Sequence, residues 1–298
     1  MKKLRIFLLG ALAMIFTLAC SMTSLLPGSG QMQATADALQ ATQIALDVQV
    51  ALVEQQQTAV AQQPQATQAE AEAHAAPVEG NEIIFEGVRF VYPDAIASGV
   101  DPASKPEMED MAGMIPAHTE FNFSGYAWDG SMHTPTVYVY STDAYRSANE
   151  YAGETIDELN TLIHDRPAAP ENIPFLPIWN AAQMFTADVK YIDFQNGSGV
   201  RFLSQYGQAI YPINNNGLFY TFQGLTNDGA WYISAVFPVS HAGLPGDDAI
   251  PGDDWETFSD NYLTYMAETI NWLNTQPADS FTPHLNELDD LIHSMQVK

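Results

Sequence analysis

Residues 188–239 read DVKYIDFQNGSGVRFLSQYGQAIYPINNNGLFYTFQGLTNDGAWYISAVFPV, and this stretch decides the fold. Apolar and aromatic runs alternate in it with short Asn- and Gly-rich segments. The runs occupy 189–194, 200–211, 218–225 and 231–239, and the turn segments occupy 196–199, 214–217 and 227–229. Runs rich in Tyr, Phe, Val and Ile are typical of strands, and Asn and Gly tolerate the positive φ angles of tight turns. Short connections make consecutive strands antiparallel neighbours, so we expect a four-stranded meander.

The side chains of the meander indicate that both of its faces are covered. In the run 231–237, one face carries Trp231, Ile233 and Phe237, and the opposite face carries Tyr232 and Val236. A sheet with one face in water shows a clean polar face, which is missing here. We therefore expect helices on both faces of a mostly antiparallel sheet, which is an α+β fold.

The rest of the region 81–298 supplies further elements of that fold. Runs at 83–85 and 88–92 predict a hairpin, runs at 119–128 and 136–140 predict two more strands, and 95–116 has the composition of a long loop. Apolar residues at helical spacing predict helices from Ser141 or Thr142 to His164, over 257–275, and after Thr282, with Thr282 as cap and Pro283 in the first position. The Pro-rich stretch 166–177 is predicted to be a connection.

The N-terminus has the pattern of an export signal. A basic start at Lys2, Lys3 and Arg5 precedes an apolar run of 14 residues, 6–19, which is too short to span a bilayer comfortably. The run ends at Ala19-Cys20. It resembles a bacterial lipoprotein signal, in which a small residue precedes a cysteine that is lipidated and becomes the new N-terminus. The resemblance implies a signal peptide at 1–19 and lipid, such as palmitate, on Cys20. Alternatives are an ordinary secretory signal or an uncleaved anchor.

Residues 20–80 form a segment rich in Gln, Ala and Thr, which contains no Lys or Arg after Cys20. An apolar residue recurs every seventh position at Met32, Leu39, Leu46, Val53 and Val60. This period predicts a helical stalk of about 50 Å that ends at Pro64. The other seam position is largely Gln or Thr, so a coiled coil that self-associates and a lone helix or spacer both remain open.

The charge of the chain excludes some partners. The formal net charge is −26, and loss of Lys2, Lys3 and Arg5 with the signal peptide leaves 7 basic and 36 acidic residues, or −29. Such a chain is not expected to bind nucleic acid or an anionic membrane surface directly. Cys20 is the sole cysteine, so no disulfide forms within the chain, and the domain depends on its core for stability.

Two segments of the domain resemble the Mog1/PsbP-like α/β/α sandwich domains. One is FEGVRFVYP (85–93), a hairpin whose second strand ends in Tyr-Pro, and the other is LNELDDLIHSM (285–295), a closing helix with an apolar stripe. The order of a long helix, a meander and an aromatic strand after Asn227-Asp228-Gly229 is also similar. The resemblance implies a non-catalytic accessory or assembly role and supplies no catalytic residues.

Candidate sites are few. An acidic loop at 246–256 carries Asp247, Asp248, Asp253, Asp254 and Glu256 beside two glycines. Clustered carboxylates bind Ca²⁺, but the spacing is not that of an EF-hand, and a solvated acidic turn is the competing interpretation. We predict no catalytic or cofactor-binding residues.

The histidines offer no metal-binding pattern. None of the seven lies in an HExxH motif, and we expect each at the surface or at a helix cap. A Ser-His-Asp site assembled in space stays open, although there is no GxSxG and Gly197-Ser198-Gly199 is predicted to be a turn.

Three hypotheses of function follow. The first is a lipoprotein facing outside the cytoplasm, anchored in the cell membrane or cell surface through Cys20, with a non-catalytic binding or assembly domain. The second is an extracellular hydrolase or metal-dependent enzyme. The third is a Ca²⁺-binding module built on the 246–256 loop. The first two hypotheses name no ligand or substrate.

Overall fold

The described part of the chain has the α+β architecture that the sequence predicts. The structure is a computed structural model, and it describes residues 80–110, 112–170, 172–250 and 254–298. The predicted signal peptide (1–19), Cys20, the stalk as far as residue 79, and Asp253 lie outside the described residues.

The elements follow one another along the chain as strands, two helices, strands again, and two helices with short strands between and after them. In order they are β1 (Asn81–Phe85), β2 (Val88–Tyr92), β3 (Gly99–Lys105), β4 (Met108–Asp110), β5 (Gly113–Ile115), β6 (His118–Ser124), β7 (Thr136–Ser141), α1 (Thr142–Ala148), α2 (Glu150–Asp165), β8 (Ala182–Gln183), β9 (Ala187–Phe194), β10 (Gly197–Ser204), β11 (Tyr206–Gly207), β12 (Phe219–Thr226), β13 (Trp231–Pro238), β14 (Ser240–His241), α3 (Trp255–Leu273), a 3-10 turn (Ala278–Ser280), β15 (Phe281–Thr282), α4 (Leu285–Ser294) and β16 (Gln296–Val297).

A seven-stranded antiparallel sheet lies at the centre, in the order β3-β6-β7-β13-β12-β10-β9. The neighbours β9, β10, β12 and β13 are the predicted meander, which is confirmed. The predicted strand 200–211 is wrong in its second half, because β10 ends at Ser204 and β11 pairs with β8 instead. Hydrogen bonds of the Gln205 side chain explain why the chain leaves the central sheet after Ser204. Its Oε1 accepts the N–H of Asn214 at 3.1 Å, and its Nε2 donates to the Pro212 carbonyl at 3.3 Å.

Helices α1 and α2 cover one face of this sheet. Because side chains alternate along a strand, Phe202, Phe219 and Tyr232 face the same way, and all are fully buried. They share a core with Ile156 and Leu159 of α2. The predicted Pro-rich connection 166–177 also contributes buried side chains to this core, namely Ile173, Phe175 and Leu176.

The opposite face is covered by α4 and by a small three-stranded sheet, β1-β2-β16. Phe90 of β2 packs against Phe121 of β6 with ring centroids 5.2 Å apart, and Phe123 packs against Phe237 at 5.1 Å. The apolar stripe predicted for α4 is buried throughout. Both faces of the central sheet are therefore covered, as predicted. One of them is covered by a second sheet together with a helix, and not by helices alone.

The region 95–116 is not the predicted loop, because it contains β3, β4 and β5. Strand β3 pairs with β6 from Gly99 opposite Ser124 to Lys105 opposite His118. Its sequence GVDPASK has no alternation of apolar and polar residues and contains Pro102. Proline is tolerated at a sheet edge, and β3 is an edge strand, so pairing with β6 overrides the weak local preference.

Two helix boundaries also differ from the predictions. The single helix expected from residue 141 or 142 to 164 is two helices, broken at Asn149, whose Oδ1 accepts the N–H of Ala152 at 3.2 Å. Thr282 does not cap the last helix, because it lies in β15 and α4 begins at Leu285 after His284. Helix α3 is confirmed at Trp255–Leu273, against 257–275 predicted.

Candidate functional site

Ionisable and polar side chains converge on β3, β6 and β7, at one end of the central sheet. The antiparallel register places Lys105 opposite His118, and Asn122 opposite Thr136. Glu120 lies between His118 and Asn122 on the same face of β6, because side chains at alternate positions share a face. We call Lys105, His118, Glu120, Asn122 and Thr136 the polar row.

The polar row is joined by hydrogen bonds centred on Glu120. Its Oε1 lies 3.2 Å from His118 Nε2, and its Oε2 lies 3.2 Å from Lys105 Nζ. Asn122 Nδ2 donates to Oε2 at 3.4 Å, and the Thr136 hydroxyl donates to Asn122 Oδ1 at 3.0 Å. Both carboxylate oxygens of Glu120 therefore have donors from within the row.

His118 is placed between two hydrogen-bond acceptors. Its Nδ1 lies 2.8 Å from the Pro116 carbonyl oxygen, and its Nε2 faces the Glu120 carboxylate. A neutral imidazole has one N–H, whereas an imidazolium has two and satisfies both acceptors. The ring is 8% exposed and packs on Tyr140 with centroids 4.7 Å apart. The prediction of a surface or cap position is therefore wrong for His118.

The pKa of Glu120 reflects two opposed effects. Partial burial raises it, and the hydrogen bonds from His118, Lys105 and Asn122 lower it, with the attraction of the Lys105 ammonium acting in the same direction. The net result is a pKa below the ordinary value of 4.5. Glu120 is thus a carboxylate at neutral pH, which fits its ion pair with Lys105.

A second cluster surrounds His133 on the face that α2 covers. The His133 ring stacks on Trp179 with centroids 5.1 Å apart and meets Phe219 at 4.8 Å. Phe175 and Tyr206 close the group around Trp179, at 4.9 and 5.0 Å. Desolvation lowers the pKa of His133 to about 4, so the ring is neutral at pH 7. His133, too, is not the surface or cap residue that we predicted.

The opposite face of the sheet holds a buried ion network. Arg201 is 3% exposed, and its Nε lies 3.1 Å from Asp289 Oδ1, while its Nη1 lies 2.5 Å from Asp188 Oδ2. The Tyr220 hydroxyl donates to Asp289 Oδ1 at 3.0 Å. Desolvation lowers the pKa of Arg201, but the attraction of Asp289 and Asp188 outweighs it and the pKa is raised. These charges bind one another and stabilise the fold.

The predicted Ca²⁺ residues have local roles where the structure describes them. Asp254 is the N-cap of α3, and its Oδ1 accepts the N–H of Thr257 at 3.1 Å, a bond that lowers its pKa. Asp247 Oδ1 accepts the N–H of Ala249 at 3.1 Å. Glu256 lies in the first turn of α3, and Asp248 is exposed.

Within the described residues, no group of three or more His, Cys, Asp and Glu side chains is placed to hold a metal ion. Ca²⁺ binding by the 246–256 loop stays a prediction, and calorimetric titration of the chain with Ca²⁺ tests it.

A nucleophile beside a base, which a hydrolase needs, does not appear at the polar row. His118 bonds to a carbonyl and a carboxylate, and the Thr136 hydroxyl donates to Asn122 and not to a histidine. Gly197-Ser198-Gly199 is not the predicted turn, because these residues begin β10. The contacts of the polar row therefore assign no residue to a catalytic role.

Five of the six aromatic side chains of 219–237 are core residues and do not form an exposed binding platform, and Trp231 is partly buried. Phe219, Tyr220, Phe222, Tyr232 and Phe237 are completely buried. No helix in the described ranges has the length and apolar character needed to cross a membrane.

Sequence reasoning missed the polar row, although a signal for it exists. In HTEFNF (118–123), His118, Glu120 and Asn122 alternate with Phe121 and Phe123, which indicates a strand with one polar and one apolar face.

Comparison with known proteins finds no family model, no curated protein and no solved structure that matches this chain.

Proposed function

We propose that this chain is a bacterial lipoprotein, anchored in the cell membrane or cell surface through lipid on Cys20 and facing outside the cytoplasm. The observation that carries the proposal is the position of the only cysteine, directly after the apolar run 6–19 that follows a basic start. Residues 20–80 then act as a stalk that holds the domain away from the membrane.

The domain from residue 81 onward is proposed to bind or assemble with a partner without catalysing a reaction. Support comes from the way that its charged interior groups are used. Glu120 has donors on both oxygens, and Arg201 is bonded to Asp188 and Asp289. Charged groups that bond to one another in this way hold neighbouring strands together, a role that needs no catalysis. A Mog1/PsbP-like sandwich is the finer fold proposal, and it agrees with such an assembly role.

Anchoring is tested by producing the full-length chain and its Cys20→Ser variant in a bacterial host fed with labelled palmitate. We expect the unaltered chain to take up label and to sediment with membranes. The variant should take up no label and lose its stable membrane association, because the acyl chains supply the hydrophobic attachment. Ser21→Ala, which leaves the cysteine in place, is the control and should behave as the unaltered chain. Equal labelling of the Cys20→Ser variant, or no label on the unaltered chain, contradicts the proposal.

A further inference from the structure

Among the strands that the structure describes, β2 is the one that pairs with β1, and none lies along the other edge of β1. It pairs with β2 through a turn at Glu86 and Gly87, whose φ angles are 46° and 83°. In a two-residue hairpin, Phe85 and Val88 form the hydrogen-bonded pair next to the turn, and the pattern alternates from there. The backbone groups of Phe85, Ile83 and Asn81 therefore point to β2, while those of Glu82 and Ile84 point away from it.

The side chains of this edge are apolar and incompletely covered. Ile84 is 69% exposed, more than any other large hydrophobic residue in the described part of the chain. Ile83 and Phe85, on the other face, are only partly buried, although Phe85 packs edge-on against Phe121 with centroids 6.3 Å apart. Three consecutive apolar residues at an open edge form a template for pairing with another strand.

The edges of the central sheet are protected in ways that β1 is not. Strand β3 contains Pro102, which blocks pairing at an edge. Strand β9 contains Lys190, and the turn that follows it is held by the last helix, since the N–H of Gln195 donates to the Met295 carbonyl at 3.0 Å. Asn81–Phe85 contains neither Pro nor Lys.

We propose that β1 pairs antiparallel with β1 of a second copy of this chain. The outward backbone groups fix the register: Glu82 lies opposite Ile84 of the other copy, and Ile83 lies opposite itself on the two-fold axis. Each Glu82–Ile84 pair exchanges both of its N–H···O bonds. Pairing joins the two small sheets and covers Ile83 and Phe85 from the side.

The segment before β1 favours a second copy as the occupant of this edge. This step takes the first of the two alternatives given above for residues 20–80, a stalk that self-associates through its seven-residue repeat. The seven-residue repeat ends at Val60, and residues 61–80 join it to β1. Twenty residues span at most about 70 Å when fully extended. Two stalks in contact would hold two β1 strands at an effective concentration of about 1 mM, at which a weak edge contact forms.

Charge at this edge permits the pairing despite the acidic character of the chain. Glu82 pairs with Arg89 of its own sheet, at 2.5 Å between Arg89 Nη2 and Glu82 Oε1. In the proposed register Glu82 faces the apolar Ile84 of the other copy, so the two copies of Glu82 do not oppose each other directly.

A disulfide test uses the full-length chain carrying Cys20→Ser in detergent, which has no other thiol and no lipid attachment. Adding Ile83→Cys places two cysteines on the two-fold axis with Cα atoms about 4.5 Å apart, within disulfide reach. Val91→Cys, on β2 of the same small sheet, is the matched control, because its two copies would lie roughly 14 Å apart. Mild oxidation should give about tenfold or more cross-linked dimer from Ile83→Cys than from Val91→Cys.

Two further variants test the edge itself in the Ile83→Cys chain. Ile84→Pro removes an outward N–H without touching the β1–β2 hydrogen bonds, and Ile84→Asp sets a carboxylate opposite Glu82 of the other copy. Both variants should lower the yield of cross-linked dimer to that of Val91→Cys and leave the melting temperature of the domain unchanged. Adding Glu82→Lys to Ile84→Asp should restore the yield of cross-linked dimer, because opposite charges then face each other.

Monomers in sedimentation, together with no excess of cross-link at Ile83→Cys, would overturn the proposal, as would full cross-linking in both Ile84 variants. Because Cys20 is replaced throughout, these outcomes do not depend on whether the chain is lipidated. Anchoring and edge pairing can therefore fail separately.

Discussion

At the scale of single residues, the buried ion network is the feature with the largest energetic consequence. Arg201 lies in the core and depends on two carboxylates from distant parts of the chain, Asp188 and Asp289. Removing one of the two carboxylates leaves the buried charge of Arg201 only partly compensated, which is costly in the protein interior. The network therefore locks α4 onto the sheet.

Asp289→Ala should lower the free energy of unfolding by about 3–5 kcal/mol, because it removes the acceptor of both Arg201 and the Tyr220 hydroxyl. Urea denaturation measures the loss. Lys190→Met is the matched control, since exposed Lys190 reaches the same carboxylate at 3.5 Å and should cost less than about 1 kcal/mol. Equal losses from the two variants would contradict the assigned role of Arg201.

Glu120 gives the polar row a dependence on pH. Its folded-state pKa is lowered, so its contribution to stability is present above the ordinary value of 4.5 and is lost as the pH falls through the folded-state pKa. Glu120→Gln should cost roughly 1 kcal/mol at pH 7 and less at pH 3. Urea denaturation at both pH values tests this. Glu109→Gln, at an exposed position of β4, is the control and should leave the free energy of unfolding unchanged at both pH values. A loss of stability from Glu120→Gln at pH 3 as large as that at pH 7 would count against the ion pair.

At the scale of elements, Asn149 decides that one predicted helix becomes two. Its N–H bonds to the Tyr145 carbonyl at the end of α1, and its Oδ1 caps α2 through Ala152. Helical spacing of apolar residues continues across the break, so the pattern alone predicts a single helix. The side chain also reaches the Ala112 carbonyl at 3.4 Å, which ties the break to the β4–β5 hairpin.

Asn149→Ala should therefore destabilise the domain by about 1 kcal/mol, the usual cost of losing an N-cap. Asn149→Asp keeps the acceptor for Ala152 and loses only the donor to Ala112, so it should retain most of that stability. Thermal unfolding of both variants measures the difference. A stable Asn149→Ala variant with increased helix content would show that the break is not imposed by this residue.

The elements that could be predicted are those with a strong period. The meander, α3 and the stripe of α4 follow from alternation or helical spacing, and each is confirmed in place. Strand β3 could not be predicted because its pairing with β6 comes from tertiary structure. Part of the polar row could be predicted from the sequence, since His118, Glu120 and Asn122 lie at alternate positions of one strand. Arg201 and Asp289 are 88 positions apart, so no local pattern joins them.

At the scale of the whole molecule, three segments with different compositions divide the work of the proposed lipoprotein. In the proposal, the apolar run and Cys20 are assigned to attachment, residues 20–80 to a stalk, and the α+β domain to the binding of a partner. Without its first 19 residues the chain carries a net charge of −29, which favours solubility and repels anionic lipid headgroups.

The most direct test of this account is the mass of the N-terminal tryptic peptide from chain produced in a bacterial host and recovered from its membranes. No Lys or Arg lies between Cys20 and Arg89, so one peptide reports both the cleavage site and any modification. The account predicts a peptide that begins at Cys20 and carries the added mass of acyl chains. A peptide that begins at Ile6, which trypsin releases from a chain that keeps its first 19 residues, or a peptide with unmodified Cys20, would contradict it.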